Sequence, residues 1–159
     1  MHIDRIFLHE RTGSIALQGL EHKKRTILAP QHVFCTMDHI VDTTSGRNDD
    51  TLMPSGGDFI RATRKSAHQA NITLFDLGSD RQGIVHVISP ELGIALPGSS
   101  VVCPDSHTCT LGGIGALAWG IGSSEAEHAM ATNTLRVKKP KTMRVVFSGV
   151  TERKVHSLA

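Results

Sequence analysis

Residues 72–103 read ITLFDLGSDRQGIVHVISPELGIALPGSSVVC, and the order of the segments within them indicates the fold class. The apolar runs at 72–77 and 99–103 are short and are closed by glycine or proline, as is typical of buried strands. Between them, residues 83–92 predict a short helix, which Gly93 ends. A strand, a helix and a second strand in that order indicate an α/β unit with parallel strands.

The same alternation continues on both sides of this stretch. The further elements that the pattern predicts are a strand at 33–40, a helix at 59–70 capped by Asp58, a helix at 123–134 capped by Ser123 or Ser124, and a strand at 141–148. Strands that alternate with helices predict an α/β layer fold with a mainly parallel sheet. Functional residues in such a fold gather where the strands end.

Composition restricts the class of protein. The chain has 159 residues, 39% of them apolar and 20% charged, which fits one globular domain. Its formal net charge of +2 and its scattered basic residues do not favour a nucleic-acid partner. No apolar run reaches the roughly 20 residues that a membrane-spanning helix needs, so we expect no membrane partner. The odd count of three cysteines argues against a disulfide framework and favours a reducing cytoplasm.

A glycine-dense stretch at 112–122 invites comparison with phosphate-binding loops. It lacks the Gly-Lys-Ser/Thr ending of a P-loop. Ala118 also stands at the third glycine position of the dinucleotide-binding motif that would begin at Gly113. We therefore predict that these glycines serve close packing between a helix and the sheet.

Histidines stand in or beside three of the predicted segments, and two of them have an acidic neighbour. The residues are the pair Asp38 and His39, then His86, and the run Asp105, Ser106 and His107. A histidine transfers protons near neutral pH, and a neighbouring carboxylate fixes its tautomer and raises its basicity. One Asp-His pair alone is usually a capped turn or a surface hydrogen bond. Two such pairs on loops after separate strands can face one crevice, and together they predict a site.

Two further patterns suggest metal chemistry but have simpler interpretations. Glu125 and His128 have the E-x-x-H spacing of di-iron bundles, yet a single copy favours the surface of a helix. The three cysteines are Cys35, Cys103 and Cys109, which are too widely spaced for a C-x-x-C clip. They would meet only through folding, and buried free cysteine is the more common outcome.

Eight blocks of sequence carry a resemblance that covers nearly the whole chain up to about residue 149. They are IDR (3–5), LHE (8–10), MDH (37–39), GIVHVISPE (83–91), LPG (96–98), DSHT (105–108), GIGSSEAEH (120–128) and KTMRV (141–145). In this order they resemble the aconitase superfamily and, within it, most closely the large-subunit family of 3-isopropylmalate dehydratases. The resemblance implies an aconitase-like three-layer α/β/α sandwich over residues 1–149, followed by an unrelated tail at 150–159.

The resemblance also implies an activity. Members of this family are hydro-lyases of leucine biosynthesis, which move a hydroxyl group between adjacent carbons of a hydroxy-diacid through an alkene. They bind a [4Fe–4S] cluster whose open iron acts as a Lewis acid on the substrate. The roles implied by position are Asp38 with His39 as the pair that protonates the leaving hydroxyl, Asp105 as the partner of His86, His107 as part of the same pocket, and Ser106 and His9 as contacts to substrate oxygens.

The family pattern extends beyond this sequence. The cluster cysteines of the family lie downstream of residue 159, and none of the three cysteines here stands at a ligand position. We therefore expect a truncated piece that does not bind the cluster alone. It would need the C-terminal part of the large subunit and a separate small subunit. The alternatives are a homoaconitase-like hydro-lyase of another hydroxy-diacid, and a non-catalytic remnant or interaction module.

Overall fold

Five short strands form one sheet in the computed structural model, which describes residues 1–146 and 148–149. The strands are β1 (Arg5–His9), β2 (Val33–Thr36), β3 (Thr73–Phe75), β4 (Ser100–Cys103) and β5 (Leu117–Gly120). Their order across the sheet is β3-β2-β1-β4-β5, and every neighbouring pair is parallel. The predicted α/β fold with a parallel sheet is therefore confirmed.

Helices cover both faces of this sheet. They are α1 (Gly13–His22), α2 (Gly56–Gln69), α3 (Val85–Glu91), α4 (Ser123–Thr132) and two 3-10 helices, Pro30–His32 and Thr108–Ile114. Each of α1, α2 and α4 contributes buried residues to one core on one face, while α3 and the second 3-10 helix pack on the other face. None of the helices in the described residues has the length and apolar character needed to cross a lipid bilayer.

The central strand β1 supplies side chains to both layers, because successive residues of a strand point to opposite faces. Ile6 and Leu8 pack in the core that includes α1 and α4, whereas Phe7 packs with residues of α3. The ring centroid of Phe7 lies 5.6 Å from that of Phe34 and 6.4 Å from that of Phe75. β1 is therefore buried on both faces, against a separate cluster on each, as is typical of a central parallel strand.

The pattern-based predictions omit β1, α1 and β5. In β1 only three apolar residues stand between Arg5 and His9, which is too short a run to separate from a loop by pattern. In α1 the apolar residues are interrupted by Gly19, and glycine is a weak helix former. In β5 the run Leu-Ala-Trp-Gly lies within the glycine-dense stretch and is only partly buried.

Two predicted elements in the first half of the chain exist with different bounds. The strand predicted to run through residue 40 ends at Thr36, because the next residues form the loop that carries Asp38. Helix α2 begins at Gly56, so Asp58 lies in its first turn and Ser55 holds the N-cap position. An acidic residue in the first turn still interacts favourably with the positive end of the helix dipole.

At the other end, neither Ser123 nor Ser124 caps α4. Gly122 holds the N-cap position, and its backbone N–H donates to the carboxylate of Glu125 at 2.9 Å. The glutamate therefore accepts the N–H of the N-cap residue itself, whereas a capping serine hydroxyl would accept an N–H of the first helical turn.

The strand predicted at 141–148 is wrong for the part of that segment that the structure describes. No strand is found at 141–146 or at 148. A strand needs a neighbour that pairs with its N–H and C=O groups, and no described strand pairs with this segment. Three apolar side chains there are exposed, namely Met143, Val145 and Val146. Residue 147 and the predicted tail at 150–159 lie outside the described residues.

The sequence predicted that the glycines of 112–122 serve close packing between a helix and the sheet, and this prediction is wrong. A Cβ added at Gly112 or Gly113 would meet nothing within 4 Å. Gly115 follows the 3-10 helix with a φ of +86°, a conformation that favours glycine. Gly120 makes a close approach, but to the loop after β4: a Cβ there would lie 2.5 Å from the carbonyl oxygen of Asp105.

Candidate active site

The candidate site lies where the strand order of the sheet reverses. β2 and β3 extend from one side of β1, and β4 and β5 extend from the other. Parallel α/β sheets bind ligands in the crevice beyond the carboxyl ends of the two strands at such a point. His9 ends β1, and its Nε2 lies 2.9 Å from the carbonyl oxygen of Pro104, which directly follows β4. The two strand ends are thus joined at the floor of the crevice.

His39 stands between two carboxylates in this crevice. Its Nδ1 lies 2.7 Å from Oδ1 of Asp38, and its Nε2 lies 3.0 Å from Oδ2 of Asp105. The Asp38 contact is a hydrogen bond, and the imidazole must donate it because a carboxylate only accepts. The Asp105 contact is an ion-pair distance without a hydrogen bond, and the two carboxylates together favour the positively charged ring. The hydrogen bond that the ring donates to Asp38 raises the pKa of His39 and outweighs the effect of burial. The side chain is 27% exposed, so this acid reaches the open side of the crevice.

Asp38 is fixed by a contact that reaches across to α3. Its side chain is 3% exposed, and Oδ2 accepts the backbone N–H of Val85 at 2.9 Å. Val85 is the first residue of α3. One oxygen of Asp38 therefore holds the helix while the other holds the His39 ring, so the ring has little freedom to turn.

Asp105 is the point where the predicted histidines converge. One oxygen lies 3.4 Å from Nε2 of His86 and 3.2 Å from Nδ1 of His107, although the His86 contact lacks hydrogen-bond geometry. Burial would raise the pKa of Asp105, but the backbone N–H of His107 and the charges of His86 and His39 outweigh it and lower that pKa. Asp105 is therefore the ionised centre of the group.

His9 forms the buried inner wall of the site. Its ring is stacked on the ring of His39, with centroids 3.5 Å apart and planes 9° apart. Burial is the main cause that lowers the pKa of His9, so a neutral ring lies against the charged one. Since Nε2 donates to the Pro104 carbonyl, Nδ1 is left as an acceptor, and it has no hydrogen-bond partner among the described residues.

The structure brings together most of the residues that the sequence selected. The inner group is Asp38, His39, His86, Asp105 and His9. His107 and Ser106 stand at the exposed rim, where the serine Oγ lies 3.3 Å from Nδ1 of His107. The roles assigned to these residues stay predictions. By contrast, Glu125 and His128 are exposed on α4, as the helix-surface interpretation predicted.

The sequence-based selection missed Glu10 and Thr12. The carboxylate of Glu10 accepts backbone N–H groups from the loop that carries Asp38 and His39. The hydroxyl of Thr12 lies 3.1 Å from Nε2 of His9. Two signals were available for Glu10: it directly follows a histidine at the end of a strand, and it belongs to the block LHE (8–10) of the family resemblance.

Four of these residues offer donor atoms close enough to hold a metal ion. The group is His9, Glu10, Asp38 and His39, whose ligand atoms lie within 4.8 Å of one another. Nearly all of those atoms are engaged, however. Glu10 accepts backbone N–H groups, Asp38 accepts from Val85 and His39, and both nitrogens of His39 face carboxylates. The donor set therefore fits a proton-holding network better than a metal centre.

The three cysteines do not fit an iron–sulfur cluster. Cys35 and Cys103 are buried, and burial raises the pKa of both thiols, so it disfavours the thiolates that ligate iron. Cys109 is exposed on the second 3-10 helix. Among the described residues, no group with metal-ligand spacing contains a cysteine. Buried free cysteine is thus the correct interpretation for two of the three.

Gly120→Ala is expected to push the Asp105 loop away from β5. The new Cβ would lie 2.5 Å from the carbonyl oxygen of Asp105 and 3.2 Å from Cα of Ser106, both of them main-chain atoms. We expect a loss of about 1–3 kcal/mol in the free energy of unfolding, measured by urea denaturation. Gly112→Ala is the matched control, because it has open space. Equal effects of the two substitutions would contradict the close contact.

The Asp38–His39 pair should make the stability of the chain depend on pH. Because the folded-state pKa of His39 is raised, the stability that the pair contributes is fully present below the unfolded-state pKa of about 6.5 and is lost as the pH rises through the folded-state pKa. We expect the difference in unfolding free energy between wild type and His39→Asn to be constant below about pH 6.5 and to shrink as the pH rises above it. A difference that stays constant above about pH 6.5 in urea titrations would count against the paired imidazolium.

Comparison with known proteins identifies a family and a curated relative. The family model described as "Aconitase family (aconitate hydratase)" matches residues 1–157. A curated relative, "3-isopropylmalate dehydratase large subunit 1" of Bradyrhizobium diazoefficiens, is 48% identical over 149 residues. The alignment covers 94% of this chain and 31% of the relative, so the chain spans about a third of the relative's length. Both matches agree with the resemblance carried by the ordered sequence blocks.

Proposed function

Because the chain belongs to the aconitase family, we propose that it supplies the proton-donating part of the active site of a hydro-lyase. The reaction proposed is the isomerisation of 2- and 3-isopropylmalate through an alkene, a step of leucine biosynthesis. The observation that carries the proposal is the His39 ring, held between Asp38 and Asp105 at the point where the strand order reverses. The name of the 48% identical relative supports the choice of substrate.

The chemistry needs an acid at this place. When the C–O bond of the hydroxy-diacid breaks, the oxygen departs as water only if it gains a proton, and the neighbouring carbon loses its proton to a base. A charged imidazole is a suitable donor, because its pKa lies near neutral pH. In this proposal His39 gives a proton to the leaving hydroxyl and becomes neutral. Hydration at the adjacent carbon reverses the transfer, so the ring regains its proton.

The neighbours of His39 control that transfer. Asp38 and Asp105 hold the ring in one orientation and stabilise its charged form. His9 remains neutral beneath the ring, and its unpartnered Nδ1 would accept a hydrogen bond from the substrate hydroxyl. At the rim, Ser106 and His107 are exposed and would contact a substrate carboxylate. His86 completes the wall beside Asp105.

Aconitase-family enzymes carry a [4Fe–4S] cluster, which supplies a Lewis acid for the substrate hydroxyl when bound. The cysteines described above do not fit that cluster, so no step of the proposal is routed through it. We propose that its ligands come from polypeptide corresponding to the part of the relative that this chain does not span. We further propose a small subunit as a partner, as the relative's name implies, and a reducing cytoplasm as the compartment.

The proposal is tested by a chimera. The chain replaces the corresponding segment of the Bradyrhizobium large subunit, is combined with the small subunit, and is assayed for formation of the alkene from 3-isopropylmalate. We expect activity within about tenfold of the parent enzyme, since a tenfold change corresponds to only about 1.4 kcal/mol in the barrier. Activity on homoaconitate alone would favour the alternative substrate. A folded, cluster-loaded chimera without activity on either acid would favour a non-catalytic module.

A further inference from the structure

Glu10 occupies a position that the proposed chemistry does not yet use. It directly follows β1 and is fully buried. Its Oε2 accepts the backbone N–H of Asp38 at 2.9 Å, and its Oε1 accepts the N–H of His39 at 2.7 Å and that of Ile40. A longer contact of 3.4 Å reaches the N–H of Val41. One carboxylate thus engages four consecutive backbone groups of the loop that carries the acid.

These backbone groups are the partners that balance the buried charge. None of the ion pairs among the described residues includes Glu10. A buried carboxylate is costly unless hydrogen bonds replace its lost hydration. The main chain of Glu10 is fixed as well, because its carbonyl accepts the hydroxyl of Thr63 on α2 at 3.1 Å. Glu10 is therefore held to α2 through its main-chain carbonyl and to the loop through its carboxylate.

We propose that Glu10 is a positioning residue, which holds the backbone at 38–40 so that the His39 ring stands between Asp38 and Asp105. The catalytic meaning of this inference rests on the proposed function, whereas the geometry does not. Without the carboxylate, the N–H groups of His39 and Ile40 would have to find new acceptors. The loop would then rearrange towards water and move the ring out of line with Asp105.

Two substitutions separate position from charge. In Glu10→Gln, whichever way the amide is oriented, its NH₂ group faces a backbone N–H, because both carboxylate oxygens accept in the native chain. In Glu10→Asp the charge stays, but the side chain is one methylene shorter and cannot reach the same N–H groups. Glu125→Gln is the matched control, because Glu125 also accepts a backbone N–H but lies at the exposed start of α4.

The experiment is NMR on the full chain, recording the titration of His39 and amide hydrogen exchange. The groups facing the His39 ring are Asp38, Asp105, His9 and Glu10. We expect the wild-type ring to titrate above the ordinary value of about 6.5, and both Glu10 variants to titrate at or below it. We also expect the amides of His39 and Ile40 to exchange at least about tenfold faster in both variants. Glu125→Gln should change neither measurement.

Several results would overturn the proposal. If Glu10→Asp leaves the His39 titration unchanged while Glu10→Gln lowers it, Glu10 acts by charge alone. If both variants only lower the melting temperature and leave the titration and exchange of the folded chain intact, the role is merely structural. If Glu10→Gln does not fold, the test rests on Glu10→Asp and on amide hydrogen exchange in the wild-type chain. Fast exchange of the amides of residues 39 and 40 in wild type would exclude the positioning role. Because these measurements use no substrate, their result does not depend on whether the chimera is active.

Discussion

His39→Gln in the active chimera is expected to lower kcat by about 10²–10⁴-fold, the usual contribution of a positioned general acid. The glutamine amide can still hydrogen-bond to Asp38 or Asp105, but it has no proton to give to a leaving hydroxyl. The loss should fall on kcat more than on KM, because proton transfer is made only in the transition state. Steady-state rates of alkene formation, measured across the pH range, provide the test.

The control for this substitution is His128→Gln, which changes an exposed histidine on α4 that is not part of the acid–base group. Its kcat should stay within about twofold of the unsubstituted chimera. A reduction of less than about tenfold for His39→Gln, in a protein with an unchanged circular dichroism spectrum, would mean that another group donates the proton.

Phe7→Ala is expected to have the largest effect on stability. Phe7 is completely buried in the central strand, and its ring stacks against Phe34 and Phe75. Removing a buried phenylalanine typically costs about 3–5 kcal/mol, the sum of lost transfer free energy and an unfilled cavity. Domains of ordinary stability have only about 5–15 kcal/mol in total. Much of that margin would therefore disappear, and the midpoint of urea denaturation should fall sharply.

Leu52→Ala is a suitable comparison, because that leucine is 89% exposed. Its substitution should change the unfolding free energy by no more than about 0.5 kcal/mol. If Phe7→Ala cost less than about 1 kcal/mol, the three rings would not form the close-packed layer that their separations indicate.

The parts of the fold that the sequence predicted are those with a local signature. β3, α3 and β4 lie within one stretch where apolar runs are separated by glycine and proline, so their order could be read directly. β1 could not be predicted in this way, although it is the centre of the sheet. Its identity as a strand depends on burial between β2 and β4, which is a property of the tertiary structure and not of five residues.

In the candidate site, too, contacts between sequence neighbours could be predicted, whereas contacts that depend on the tertiary structure could not. Asp38 and His39 are neighbours in sequence, so their pairing was visible as a pattern. The contact between His39 and Asp105 joins loops that follow different strands, and it exists because β1 separates β2 from β4 by one strand spacing on each side. The stacking of His9 on His39 and the reach of Glu10 into the loop depend on that same strand order. No local pattern contains this information.

The strand order has a further consequence for the order of events during synthesis. β1 is made first, yet one of its two neighbours, β4, begins about a hundred residues later, and Asp4 bonds to Ser100 across a separation of 96 residues. The cost of closing a loop is incurred before its contacts are gained, which slows folding. While the chain is being made, Ile6, Phe7 and Leu8 cannot yet be enclosed on both faces. Until β4 has been made, the nascent chain thus exposes the apolar residues of β1, which makes this strand open to aggregation or to capture by a chaperone.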